Sequence, residues 1–137
     1  MIEFCVFGEP RGKARPRFRL SGYAYNEKKT KAYEQQVGVE FLRAGGKLMP
    51  KGIPVGIEVT AYFQVPKSYT KRRKVLCREN LELPLKKPDG DNILKIVCDA
   101  LNGLAWKDDT QVAEMTVRKR YSKAEAFVRV RIWEVKP

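Results

Sequence analysis

Residues 87–112, KPDGDNILKIVCDALNGLAWKDDTQV, decide what kind of fold this chain can adopt. Ile93, Leu94, Ile96, Val97, Ala100, Leu101 and Leu104 recur there at helical spacing. The spacing predicts a helix over 92–104 with one apolar face, and Gly103 supplies its stop. On both sides of this segment the period drops to two. Residues 55–66, VGIEVTAYFQVP, alternate so that Val55, Ile57, Val59, Ala61 and Phe63 share a face. Residues 111–122 and 126–135, QVAEMTVRKRYS and AFVRVRIWEV, alternate as well, with a turn expected near residues 122–125. In the last of these Val128, Val130 and Ile132 oppose Arg129 and Arg131. A helix inserted between strands requires an α/β or α+β domain with a mixed sheet.

Further out, Ile2 to Phe7, IEFCVF, reads as a strand, and GEPRGKARPRFRLSG after it as an extended loop, because proline forbids helix just before it. Asn26 is a plausible N-cap for a helix running to about Ala44, with Tyr33, Val37, Phe41 and Leu42 on its buried stripe. GGKLMPKGIP ends that helix. Residues 67–80 suit a short helix, and LELPLKKP is expected to run extended up to the aspartates. The order β-α-β-(α)-α-β-β describes a single domain over residues 1–137, a mixed sheet with two main helices. The order of strands in that sheet is not written in the pattern.

Composition narrows the function. Lys and Arg number 28 against 16 acids, a net charge of +12 and a pI near 9.8, which points to a polyanionic partner, nucleic acid first. The positive charge is clumped. Arg11, Lys13, Arg15, Arg17, Arg19, Lys28, Lys29 and Lys31 stand against one acid, Glu27, and KSYTKRRKVLCR at 67–78 holds no acid at all. A basic solvated face is the plainer alternative. Tyr23 and Tyr25 lie in the first basic region, where they could stack on bases or pack on the domain. With no histidine, the usual base of nucleophilic triads and the commonest transition-metal ligand are missing. Cys5, Cys77 and Cys98 are odd in number and far apart, as expected of reduced thiols in a cytoplasmic protein. No apolar run approaches the ~18 residues of a membrane span, and the N-terminus does not read as a signal peptide.

Every aspartate of this basic chain lies between Asp89 and Asp109: Asp89, Asp91, Asp99, Asp108 and Asp109. Asp89 and Asp91 flank Gly90, and on an extended segment both would project to one side. Gly90 would free the backbone between them. Asp91 is expected at the helix start, with Lys95 one turn along the same face. Several carboxylates without histidine make an oxygen-only site suited to Mg²⁺ or Mn²⁺. Two such ions about 4 Å apart can activate water and stabilise a leaving oxygen. Read blandly, KPDGDN is turn chemistry plus a helix cap; a calcium loop lacks its further ligands and terminal Glu. Asp99 suits a structural contact. The residues alone leave two functions open, a metal-dependent nuclease and a non-catalytic nucleic-acid binder.

Three linked blocks, Pro88-Asp89-Gly90-Asp91-Asn92-Ile93-Leu94-Lys95, Asp99-Ala100-Leu101-Asn102-Gly103 and Asp108-Asp109-Thr110-Gln111-Val112, together resemble the RusA family of Holliday junction resolvases, bacterial enzymes often carried by prophages. GEPRGKARPR, YNEKKTKAYE and VPKSYTKRRK extend the likeness over nearly the whole chain. Gly90, where the family often has a larger residue, is a mild departure. The resemblance implies a homodimeric, Mg²⁺-dependent endonuclease, with Mn²⁺ as substitute, that makes paired symmetric nicks in four-way or branched DNA during recombination and repair, without a membrane. Two sites on a two-fold dimer would match a two-fold junction. By motif position Asp89, Asp91 and Asp109 would be the essential metal ligands, Asp108 an adjacent ligand or support, and Lys95 the catalytic lysine. Arg11, Lys13, Arg15, Arg17, Arg19, Lys67, Lys71, Arg72, Arg73 and Lys74 would bind the junction arms through phosphates. The alternative is a junction-binding accessory protein that does not cut; a phage RNA-binding regulator fits less well, for no RNA-module motif is present.

Overall fold

The computed structural model describes residues 1–13 and 20–137, without the side chains of 20–26. Four strands form one mixed sheet: β1 (Ile2–Phe7), β2 (Val55–Phe63), β3 (Val112–Tyr121) and β4 (Phe127–Glu134). Three helices complete the α+β domain: α1 (Leu20–Arg43), α2 (Lys71–Arg78) and α3 (Gly90–Leu101). In space the strands run β1-β4-β2-β3. β4 is antiparallel to both neighbours, and only β2 and β3 are parallel, joined by the crossover that carries α2 and α3.

Period-two patterning explains the burial. One row across the sheet is Phe4–Val130–Val59–Val117, apolar on every strand. Val55, Ile57, Val59, Ala61 and Phe63 are all buried, as are Val128, Val130 and Ile132. The opposite face carries Glu3, Glu58, Arg118 and Arg131, linked by ion pairs: Arg131 reaches Glu3 at 3.2 Å and Glu58 at 3.6 Å, and Arg118 reaches Glu58 at 3.3 Å. α1 packs on β1 and α3, and α3 on β3, so the apolar side of the sheet lies under the helices. Ile93, Ile96, Val97 and Leu101 of α3 are fully buried.

Several expectations need correction. α1 begins at Leu20, six residues before Asn26, so Asn26 lies inside the helix and is no N-cap; Leu20, Ser21 and Gly22 belong to the helix and not to the loop. Leu42 is 56% exposed, because Tyr33, Val37 and Phe41, spaced by four, already define the inner stripe. α3 runs from Gly90 to Leu101, earlier at both ends than the expected 92–104. The glycine expected to stop it does lie at its end: Asn102 is the C-cap and Gly103 takes φ +80°, so Leu104 falls outside the helix.

Candidate active site

The N-terminus of α3 stands over the apolar row just described. Gly90 is its first residue, and a Cβ built there would meet Val117 of β3 at 3.6 Å, an ordinary contact. Its φ is not positive, so glycine is not required at 90, and a Cβ is accommodated there. Asp89 is the N-cap in extended conformation (φ −67°, ψ 150°), but its side chain makes no capping bond. Asp91 lies in the first turn of the helix. The two therefore do not share a side through strand alternation; the helix starts between them. Both are exposed, and neither carboxylate has a hydrogen-bond or ion-pair partner among the described residues. Lys119 Nζ donates to the carbonyl of Lys86, fastening the approach to Asp89 onto β3.

Along α3, Asp91, Lys95 and Asp99 follow at intervals of four, so one stripe presents carboxylate, ammonium, carboxylate, each about 6 Å further along the axis. Lys95 Nζ lies 3.5 Å from Asp99 Oδ2, with its side chain 61% exposed. Asp99 Oδ2 also meets Lys13 Nζ at 3.1 Å, and Lys13 reaches Glu34 Oε1 of α1 at 2.7 Å. Burial pulls the Lys13 ammonium down, but its bonds to Glu34 and Asp99 outweigh this, and its pKa is raised. Lys13 N–H donates to the carbonyl of Asn92 at 3.0 Å. Gly12 lies tight against the same helix start: a Cβ there would fall 2.8 Å from Pro88 Cβ and 3.0 Å from Asn92 Cβ. The first basic segment is thus stitched to α3 directly after Arg11.

The second acidic pair follows α3 across the 102–107 loop. Asp108 caps the single 3-10 turn Asp109–Gln111, its Oδ1 accepting from Thr110 N at 3.1 Å. Asp109 Oδ1 accepts from the indole Nε1 of Trp106 at 2.9 Å. Trp106 has no exposed surface and is the largest side chain of the core. Gln111 is nearly buried and uses its whole amide. Its Oε1 accepts from Lys107 N and Asp108 N at 2.9 and 3.1 Å, and its Nε2 donates to Pro50 O and Ile53 O at 2.8 and 3.1 Å. Cys98 ties this pair to α3 electrostatically. Burial pushes its thiol up to about 12, and the nearby carboxylates of Asp109 and Asp99 add to the rise against Lys95.

Asp109 and Asp99 thus act on one thiol, and Lys95 lies between Asp91 and Asp99 on α3. As the side chains stand, the aspartates are not drawn into one cluster: among the described residues no three of His, Cys, Asp or Glu are grouped to hold a metal ion. Their chemistry still suits a hard divalent cation, since Asp89 and Asp91 are exposed acceptors without competing partners and Asp109 has one oxygen engaged. Of the basic residues, Arg11, Lys67, Lys71 and Arg72 are exposed and Lys74 partly so. Arg73 is occupied: it bonds both oxygens of Glu82 at 3.0 and 3.1 Å and lies 3.6 Å over the Tyr69 ring. Arg15, Arg17 and Arg19, with the side chains of Tyr23 and Tyr25, lie outside the described residues.

The model of one protein family, endodeoxyribonuclease RusA, matches residues 8–133. This chain belongs to the RusA endodeoxyribonuclease family. A Bacillus subtilis (strain 168) relative, named uncharacterized protein YqaN, is 37% identical over 139 residues, covering 98% of this chain and 96% of its own length. RusA membership makes this chain a nuclease acting on DNA, and no helix among the described residues is long and apolar enough to cross a membrane. Two residues that matter in this RusA-family site were given no role in the sequence, Trp106, and Gln111 although it stands in the third motif block. The signal existed: a tryptophan in a polar loop tends to bury its ring, and its N–H then needs an acceptor, which Asp109 supplies three residues on.

Proposed function

We propose that this chain is a Mg²⁺-dependent endonuclease that resolves four-way DNA junctions, acting in the cytoplasm as a homodimer whose two subunits each nick one strand. The observation that carries the reading is the α3 stripe of Asp91, Lys95 and Asp99, in a chain whose family cuts DNA. Asp89, Asp91 and Asp109 would hold the metal, with Asp108 beside them. Mg²⁺, or Mn²⁺ in its place, supplies Lewis acidity toward water and a phosphodiester. The chain's own residues do the rest. Lys95, steadied by Asp99, offers an ammonium where charge grows on the phosphate. Arg11, Lys67, Lys71, Arg72 and Lys74 hold DNA arms by their phosphates and offset the repulsion between a polyanion and an acidic site. Arg15, Arg17 and Arg19 join them by position in the same basic segment. Lys13 and Arg73, both committed to carboxylates, contribute chiefly by ordering that surface.

The test is a synthetic four-way junction incubated with purified protein and Mg²⁺. Symmetric nicks are expected; Asp91→Asn should still bind the junction and leave it uncut. Intact junctions under conditions where binding is verified would overturn the nuclease reading and leave a non-cutting accessory binder. The mass in solution, measured by light scattering, should be twice that of the 15.8 kDa chain.

A further inference from the structure

We propose that Trp106 is a positioning residue for the Asp109 carboxylate, and that its indole N–H senses divalent-cation binding at that carboxylate. The inference rests on the reading of Asp109 as a metal ligand. Trp106 is fixed independently of Asp109. It is fully buried, bridges backbone-to-backbone with Met49 and Asn102, and its carbonyl accepts from Gly103 N at 2.7 Å. The ring therefore cannot turn to follow a mobile partner. Asp109 is the opposite case, an exposed residue on one 3-10 turn, whose short side chain would sample several rotamers if untethered.

The bond at 2.9 Å joins the rigid group to the free one. A carboxylate accepts more strongly than a neutral oxygen, and a buried indole N–H left without a partner is costly, so both ends favour the contact. It engages Oδ1 and leaves Oδ2 for another partner. Gln111 plays a different part: its four bonds go to backbone groups, so it fixes the path of the loop and none of the carboxylates. Loop path and carboxylate rotamer are thus set by two different side chains. Donors that hold ligating groups in this manner typically change metal affinity about 10–100-fold when removed.

The test reads metal binding without turnover. In the ¹H–¹⁵N spectrum of the intact chain, titrated with MgCl₂ alone, the Trp106 indole resonance should shift saturably. The chain has two tryptophans, and Trp133→Phe identifies which resonance is which. Asp109→Asn should abolish the shift. Trp106→Phe should weaken Mg²⁺ binding about tenfold by calorimetry. An indole resonance that stays still while the amides of Asp89 and Asp91 respond to Mg²⁺ would overturn the positioning role and spare the metal reading. No response at any of these residues, free or with junction DNA bound, would overturn both. If Trp106→Phe does not fold, the titration of the unaltered chain still decides.

Discussion

Gln111 shows how much one side chain can hold in this protein. Its removal as Gln111→Ala strands two backbone N–H and two carbonyl groups around the 50–53 turn and the 107–108 loop. The loss should be about 2–3 kcal/mol, since neighbouring water can reach part of this loop, and urea unfolding would measure it. Gln111→Glu should cost a similar amount, for a carboxylate cannot donate to Pro50 and Ile53. At this scale the sequence was legible where chemistry is carried by type and spacing. Five aspartates in one window of a chain at +12, and Lys95 four residues after Asp91, need no coordinates to be noticed. Partner choice was not legible. Nothing in the spacing says that Lys13 meets Asp99 and Glu34, residues 86 and 21 positions away, or that Arg73 is taken up by Glu82.

Among the elements, α3 is the one on which the site depends, and its packing on β3 sets where Asp89 and Asp91 stand. Gly12 is pressed against its first turn, so Gly12→Ala would drive a methyl into Pro88 and Asn92. Neither neighbour is the free end of a long side chain, so the basic segment and the Asp89 turn must separate. We expect a loss of about 1–3 kcal/mol, seen as a lower Tm, together with weaker junction binding in a gel-shift titration. Type and existence of the elements were readable because period 3.6 and period 2 differ so plainly along this chain. Ends were harder. α1 opens at Leu20 with no acid in its first turn, so nothing there advertises a helix start, and Asn26, a good cap by type, lies within it.

For the molecule as a whole, charge and burial make separate demands. A chain at +12 that binds phosphates should lose affinity steeply with salt, about a thousandfold between ~50 and ~200 mM if about six phosphates are contacted, which filter binding on a junction would show. Burial raises Cys98 from 9.0 to about 12 and, with a hydrogen bond to Tyr69, Tyr121 from 10.0 to about 12. Raised values favour the protonated, uncharged forms in the folded state. Their stabilisation is therefore complete below the ordinary values and lost as pH climbs through them toward 12. Urea midpoints should hold to about pH 9 and fall beyond it, less steeply in Cys98→Ala. The mixed sheet followed from the element order, but the strand order β1-β4-β2-β3 did not, because alternation tells each strand which face is inward and never who its neighbour is. That order has a consequence for how the protein is made. β4, the last strand in the chain, lies between β1 and β2, and β1 has no other neighbour. During synthesis β2 and β3 can pair as soon as both are made, but β1 waits, unpaired among the described strands, until residues 127–134 have left the ribosome and β4 inserts between it and β2.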